Sequence, residues 1–349
     1  MPTILNFDAS TLRGGFDMET YLAEFFEPLT GDSMDFYGGT PDSVYGSTYY
    51  LNGSQVLGRY TDDTDTSGAQ SASAVILEGA GIAYDYLHHG ASFGHGITGE
   101  VDALVFGEWA EGITSGEQGT GEDGRVADFD AGLVVEGFSL DVAPGGGTDV
   151  ATNPVYALYK AVQEADADAL FDIWSGYAVN VTGGSGDDNL VGFDFADELS
   201  GGRGDDTLTG GDGDDTLVGG HGDDIISSGL GTDFLSGGAG NDKLIGGAQR
   251  DLLRGGAGDD VLQGGKGADR LFGGAGADVF EIVANNTRDI IRDLDVAEDT
   301  IDVTALGLST LGDFAAVETS NWTELSAGDA KIRMFGVELS DLSDDIFLF

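Results

Sequence analysis

The sequence predicts two unlike folds in tandem and a cap: an α+β domain over residues 1–182, an all-β repeat tract over 183–281, and a β-rich segment over 282–349. Three observations carry that reading. A nine-residue repeat runs without insertion from Gly183 to Glu281. The first half lacks the repeat, is richer in aromatic residues, and reads as helix, many short strands, then helices. After Glu281 the repeat stops, and an acidic stretch leads to a hydrophobic end, Ile346-Phe347-Leu348-Phe349.

The repeat has the frame G-G-x-G-x-D-x-U-x, where U is large and apolar, and eleven units fit it. Asp holds the sixth position in all eleven: Asp188, Asp197, Asp206, Asp215, Asp224, Asp233, Asp242, Asp251, Asp260, Asp269 and Asp278. Leu, Ile or Phe holds the eighth, from Leu190 through Ile226 to Phe280. The glycines reach backbone angles closed to other residues and let the chain turn sharply. Carbonyl oxygens then point inward beside the Asp carboxylate. An oxygen-only donor set suits a hard cation taking six to eight oxygens, which means Ca²⁺ before Mg²⁺ or zinc. The next three residues read as a minimal strand whose middle side chain, U, points inward.

This tract resembles the calcium-binding nonapeptide array of the RTX (repeats-in-toxin) family. The resemblance implies a right-handed parallel β-roll with two units per coil, hence about five coils, roughly 25 Å long. It also implies one ion between each pair of stacked turns on the same side, up to about nine ions. Units 2 and 8 depart from the frame through Phe193 and Phe195, and through Gln249 and Arg250, so Asp197 and Asp251 are expected to hold weaker sites. Without calcium the tract is expected to be disordered.

Acidic residues outnumber basic ones 63 to 14, for a formal net charge of −49, which excludes nucleic acid and anionic membrane as electrostatic partners. The chain has no cysteine, so disulfides do not report on its compartment. No signal-peptide-like apolar segment opens it, and no run of about 18 apolar residues suggests a membrane span. Cytosolic calcium is too scarce for such repeats. The C-terminal end resolves the conflict. Asp289-Ile290-Ile291-Arg292-Asp293, Glu298-Asp299-Thr300-Ile301-Asp302 and the hydrophobic end resemble the cap and uncleaved signal of RTX proteins exported by a type I ABC channel. The resemblance implies a secreted, extracellular protein, free or attached to the cell surface, and a monomer is expected.

In the first half, Met18–Phe26 has helical spacing, ended by Pro28 and Gly31. Strand-like segments follow at 47–51, 74–77, 82–87, 101–106 and 133–140, with Gly/Asp/Ser turns between them. Residues 153–176 read as two helices split near Ala165. Collinear strings resemble the small secreted haem scavengers called hemophores, of the HasA type. They are Asn6-Phe7-Asp8, Phe36-Tyr37-Gly38-Gly39, Asn52-Gly53-Ser54-Gln55, Ile82-Ala83-Tyr84, Gly99–Gly107 and Val155-Tyr156-Ala157-Leu158. That resemblance spans nearly all of 1–180. It implies a curved antiparallel sheet backed by helices on one face, with ferric haem between two loops and delivery to an outer-membrane haem receptor.

By that resemblance Tyr84 is the axial iron ligand, and His95 is hydrogen-bonded to its phenol oxygen. A neutral phenol, with a pKa near 10, ligates poorly; Fe(III) and an imidazole acceptor favour the phenolate. The opposite loop, 27–35, lacks the histidine that several members carry; Met34 is its one candidate ligand. His88 and His89 are further candidates, since three of the four histidines fall within eight residues beside Tyr84. The fourth, His221, occupies a variable repeat position and reads as solvated. Tyr84 also reads as a plain strand tyrosine, as does Tyr86. Two strings suggest a serine esterase or lipase instead: Gly90-Ala91-Ser92-Phe93-Gly94, and Gly31-Asp32-Ser33-Met34 with Asp85 and His88. Neither has the strand before and helix after that a nucleophile elbow needs, so a non-enzyme is expected. A calcium-stabilised adhesin or matrix protein without a small ligand is the third reading.

Overall fold

The computed structural model describes residues 4–9, 17–18, 29–37, 44–45, 48–49, 51–62, 70–85, 96–109, 129–142, 157–158, 161, 167–285 and 287–349. The chain divides into two compact units: Met1–Thr11 with Glu19–Tyr177, and Leu12–Met18 with Ala178–Phe349.

In the first unit the strands are β1 (Ile4–Asp8), β2 (Leu29–Tyr37), β3 (Val44–Tyr45), β4 (Thr48–Tyr49), β5 (Leu51–Asp62), β6 (Gln70–Asp85), β7 (Gly96–Trp109) and β8 (Phe129–Val142). Six of them pair antiparallel in the order β2-β5-β6-β7-β8-β1. Helix α1 (Ala167–Trp174) is amphipathic, with Leu170 and Trp174 buried. On β1, Leu5 and Phe7 are buried and Asn6 is exposed, the alternation of a half-buried strand. Phe7 meets the Trp174 ring edge-on at 4.8 Å.

Three readings of this unit change. The segment expected as a loop before Phe36 is a strand from Leu29 onward, paired with β5. The segments at 74–77 and 82–87 belong to one strand, β6, which passes through Gly79-Ala80-Gly81 without turning and ends at Asp85. Strand β5 was not expected beyond Leu51, because register shifts at Gly53/Gln55 and Arg59/Thr61 destroy its period of two. Most of the helix expected at 18–26 lies outside the described residues; Met18 itself is in a turn.

The second unit is built on pairing at an offset of eighteen residues, as in Leu199↔Leu217. Its strands alternate between two parallel sheets. One holds β9 (Ala178–Thr182), β11 (Glu198–Arg203), β13 (Thr216–His221), β15 (Phe234–Ala239), β17 (Leu252–Ala257), β19 (Arg270–Ala275) and β21 (Asp289–Ile291). The other holds β10 (Asn189–Val191), β12 (Thr207–Asp212), β14 (Ile225–Leu230), β16 (Lys243–Ala248), β18 (Val261–Lys266), β20 (Val279–Glu281) and β22 (Thr300–Asp302). The result is a parallel β-solenoid of about seven turns, where the repeat count alone implied about five. Non-repeat segments extend it at both ends: Val181 stacks under Leu199, Ile291 over Leu271 and Ile301 over Phe280.

Most strands are six residues long and run from the seventh position of one unit to the third of the next. Burial alternates along them, so U and the first glycine of the following unit both point inward. Every U side chain from Leu190 to Phe280 is fully buried. Beyond the coils, β23 (Ala315–Glu318), β24 (Trp322–Ala327) and β25 (Ala330–Phe335) form an antiparallel meander, and β26 (Phe347–Leu348) is the final strand. Strand β25 adds in parallel to β21, and β26 adds in parallel to β22, so the C-terminal segment extends both sheets beyond the last coil.

Candidate metal centre

Each sixth-position Asp sits at a turn between the two sheets and is at most 3% exposed. Burial alone makes eleven carboxylates costly. From Asp197 onward one oxygen of each is satisfied by the fold: Oδ1 accepts the backbone N–H of the residue eighteen positions earlier. Asp188 N–H donates to Asp206 at 2.8 Å, Asp206 to Asp224 at 2.8 Å, and Asp215 to Asp233 at 2.9 Å. The same bond recurs from Asp197 to Asp215 and from Asp260 to Asp278. On the first coil Val179 N–H donates to Asp197.

The other oxygen is different. Oδ2 is buried without a hydrogen-bond partner in Asp206, Asp215, Asp224, Asp233, Asp242, Asp251, Asp260, Asp269 and Asp278. The first two rungs are the exceptions: Oδ2 of Asp188 accepts the Gly184 N–H at 2.7 Å, and Oδ2 of Asp197 accepts the Phe193 N–H at 2.6 Å. A buried acceptor left unmatched is costly and calls for a ligand.

The first glycine of the unit shows what surrounds these oxygens. A methyl group on Gly201 would strike Oδ2 of Asp206, and one on Gly192 would strike both Oδ2 of Asp197 and the Gly210 carbonyl. This glycine is required for space, whereas the second glycine is required for its backbone, as at Gly220 with φ 119°. At Gly183, Gly192, Gly210, Gly246 and Gly255 a carboxylate oxygen thus lies close to a carbonyl of the stacked turn. Among the described residues no three His, Cys, Asp or Glu side chains converge on one point. The donors are one carboxylate per rung and main-chain oxygens, all hard, as Ca²⁺ requires. The arrangement fits that ion and offers no nitrogen or sulfur to a softer metal.

Burial, followed by repulsion among neighbouring carboxylates, raises the pKa of this row. Asp206 and Asp278 are pushed up to about 6, Asp215, Asp224 and Asp260 to about 7, and Asp251 to about 8. Backbone N–H donors pull each back without cancelling the rise.

Two ladder members were missed in the sequence. Asp269 N–H donates to Asp289 at 3.3 Å and Asp278 N–H donates to Asp299 at 3.0 Å, and both acceptors are buried. A D-x-U signal was present in Asp289-Ile290-Ile291 and Asp299-Thr300-Ile301. Ser228 was also missed. It replaces the first glycine of unit 6, is fully buried, and its hydroxyl donates to the Gly246 carbonyl.

Of the haem candidates, Tyr84 lies on β6, paired with Leu51 on β5 and Ile97 on β7, and Met34 lies on β2 opposite Gly58. His88, His89, His95 and Ser92 lie outside the described residues. Ser33 lies on β2 and Asp85 ends β6 opposite Gly96. His221 is exposed. Among the described residues no helix is long and apolar enough to cross a membrane.

Residues 182–280 match the model of the RTX calcium-binding nonapeptide repeat in six overlapping segments, from 182–217 to 245–280. The tract is an array of RTX calcium-binding repeats. No curated protein matches the chain in sequence. Three solved structures show similarity. The extracellular lipase LipA of Serratia marcescens is 17% identical over 49% of this chain and 40% of its own, with a TM-score of 0.23. The chain therefore spans less than half of that lipase. The holo hemophore HasA of Yersinia pestis is 15% identical over 50% of this chain and 87% of its own, with a TM-score of 0.32. A subunit of the mannuronan C5-epimerase of Azotobacter vinelandii is 31% identical over 38% of this chain and 80% of its own, with a TM-score of 0.19.

Proposed function

We propose that the solenoid is a calcium-loaded roll that folds once the chain reaches a calcium-rich medium outside the cell. The observation that carries this is the row of nine partnerless Oδ2 atoms in buried Asp side chains. Without a cation the row is a stack of repelling, half-satisfied carboxylates. With Ca²⁺ each rung gains a partner, and an ion that binds only the folded chain stabilises it by mass action. Asp206, Asp215, Asp224, Asp233, Asp242, Asp260, Asp269 and Asp278 supply carboxylate oxygens, with Asp188, Asp197 and Asp251 completing the row. The chain leaves through a type I ABC channel while unfolded, and folding outside prevents its return. Circular dichroism tests this: the tract is expected to lack β structure in chelator and regain it in millimolar calcium. Full β structure in chelator would remove the proposal.

The first unit is proposed as the working domain, a haem carrier of the hemophore kind. The collinear strings support that reading. So does the β6–β7 register, which sets Tyr84 across from Ile97, two residues along the chain from His95. In this reading Tyr84 binds ferric haem iron, His95 holds the phenolate, and Met34, His88 and His89 are candidate contacts. The loaded protein passes haem to an outer-membrane receptor. Titration with hemin is expected to give a saturable 1:1 Soret change that is lost in Tyr84→Ala. No spectral change in the intact protein would end the haem reading. Ester turnover abolished by Ser92→Ala or Ser33→Ala would put a hydrolase in its place.

A further inference from the structure

The turns of the roll fall on two edges. Turns of odd units, counted from Gly183, carry the chain from the sheet of β9 to the sheet of β10; turns of even units carry it back. The two edges differ in a way that the overall repeat conceals. On the odd edge every glycine of the frame is present, in all six turns from Gly183 to Gly276. Every departure at those three positions falls on the even edge: Phe193 and Phe195 in unit 2, Ser228 in unit 6, and Gln249 in unit 8. The odd edge has five pairs of stacked neighbouring turns, and both members of each pair are intact. The even edge has four pairs, and each contains at least one altered turn.

The folded chain carries the same division. The fifth position of odd turns forms a second, exposed ladder. Asp187 accepts the Asp205 N–H at 2.9 Å, Asp205 that of Asp223 at 2.9 Å, Asp223 that of Asn241 at 2.7 Å, Asn241 that of Asp259 at 2.8 Å, and Asp259 that of Ala277 at 2.9 Å. On the even edge the same position reads Ala196, Asp214, Thr232, Arg250 and Ala268, and only Asp214 accepts, from Thr232 at 2.8 Å. At every odd turn a methyl group on the first glycine would press harder on its Asp oxygen than at any even turn with a glycine there. The odd carboxylates thus sit closer in, and beside more negative charge.

Two of the even-edge departures alter what a cation meets, Ser228 and Gln249. At the first rung of each edge the main chain takes Oδ2, from Phe193 to Asp197 and from Gly184 to Asp188, so that contact does not separate the edges. Ser228 turns its hydroxyl proton on the Gly246 carbonyl, an oxygen of the next turn on that edge. Gln249 takes φ 80°, the one described non-glycine residue held in the left-handed region. Beside it Arg250 brings a fixed positive charge, which counters part of the rise that burial gives Asp269. Calcium affinity follows the ligand charge and rigidity of a site.

Building on the calcium reading, we propose that the roll holds two classes of site: five tight ones along the odd edge and four weaker ones along the even edge. The partnerless Oδ2 atoms divide in the same way, with Asp206, Asp224, Asp242, Asp260 and Asp278 on the odd edge and Asp215, Asp233, Asp251 and Asp269 on the even edge. One edge fills first as calcium rises, and the other fills only in a richer medium.

Isothermal titration of the full chain with CaCl₂, at fixed pH and salt, tests this. The expected isotherm has five ions in a first class and four in a second, about tenfold or more weaker. Gln249→Gly with Arg250→Asp repairs unit 8 and makes its pairing with unit 10 intact at all three glycine positions. It is expected to move one ion from the weak class to the tight class. Asp224→Asn should remove an ion from the tight class and Asp251→Asn one from the weak class, with far-ultraviolet dichroism at saturating calcium confirming that each variant folds. A single class of about nine ions overturns the division and leaves the calcium reading standing. An unchanged ratio of classes in the repaired variant also overturns it, and no uptake of calcium at all overturns both.

Discussion

The Asp206 amide donates to Oδ1 of Asp224 at 2.8 Å, while Oδ2 of Asp224 lies buried with no partner. The fold uses one oxygen of this side chain, and in the calcium reading proposed above the cation takes the other. Asp224→Asn separates the two demands, because an amide oxygen still accepts the Asp206 N–H and the charge is gone. The expected outcome is a roll that binds one ion fewer yet needs less calcium to fold at pH 7. Asp224→Ala loses both functions, leaves the Asp206 N–H buried without an acceptor, and is expected to cost about 1–3 kcal/mol more than Asn in saturating calcium. Denaturant titrations of the two variants, each with a calcium count, provide the comparison.

The raised carboxyls fix the sign of a pH effect. Their folded pKa values stand at about 6 for Asp206, about 7 for Asp224 and about 8 for Asp251, above the ordinary value near 3.9. Stability from such groups is fully present below the unfolded value and is lost as pH rises through the folded values. The calcium-free tract is therefore expected to gain β structure on acidification from about pH 8 to about pH 4, and calcium uptake near pH 7 is expected to release protons. A pH titration by circular dichroism in calcium-free buffer reads the first effect, and calorimetry in two buffers of different ionisation heat reads the second. Loss of β structure on acidification would count against the buried-carboxyl account.

The Asp ladder and the Leu/Ile column were legible in the sequence because an unbroken period places each chemical type at one point of the coil. Asp289 and Asp299 were not, because their spacings from Asp269 and Asp278 are 20 and 21 residues where the repeat has 18. The two and three extra residues break the frame, and the D-x-U triplet that survives is too short to stand out. Strand length was misjudged for a different reason. The glycines that permit the turn also carry the strand up to it, so β13 ends at His221 instead of Val218. In the first unit the bulges of β5 hid a strand. Tyr84 could be placed on a strand from local pattern, but the proposed iron site depends on residues brought together by loops, which no local period encodes.

The column itself predicts where the roll breaks. Leu235 is fully buried and stacked between Leu217 and Leu253 in register. Leu235→Ala removes buried methyl groups and leaves a cavity between rungs that the stacking cannot close, at a cost of about 2–5 kcal/mol. Exposed Ile225, one position before a U residue, faces solvent, and Ile225→Thr is expected to stay within about 0.5 kcal/mol. Thermal melts in excess calcium should separate the two. Equal losses would mean that the column is not the core.

The last coil needs a lid, because a parallel sheet that simply stops leaves a row of unpaired amides and carbonyls open to a second chain. Here β26 provides it for one sheet. Phe347 pairs with Ile301, and the Val303 N–H donates to the Leu348 carbonyl at 2.9 Å. Phe347 is 6% exposed and packs between Phe314 at 5.9 Å and Phe349 at 5.7 Å. Phe347→Ala should cost about 3 kcal/mol, and removing 343–349 should expose the β22 edge altogether. In saturating calcium the truncated chain is expected to melt earlier and to self-associate, while the ions held by the nonapeptide coils remain. Light scattering and a calcium count on the same sample distinguish this from a general loss of folding. A truncated chain that stays monomeric with an unchanged melting temperature would show that β26 closes nothing.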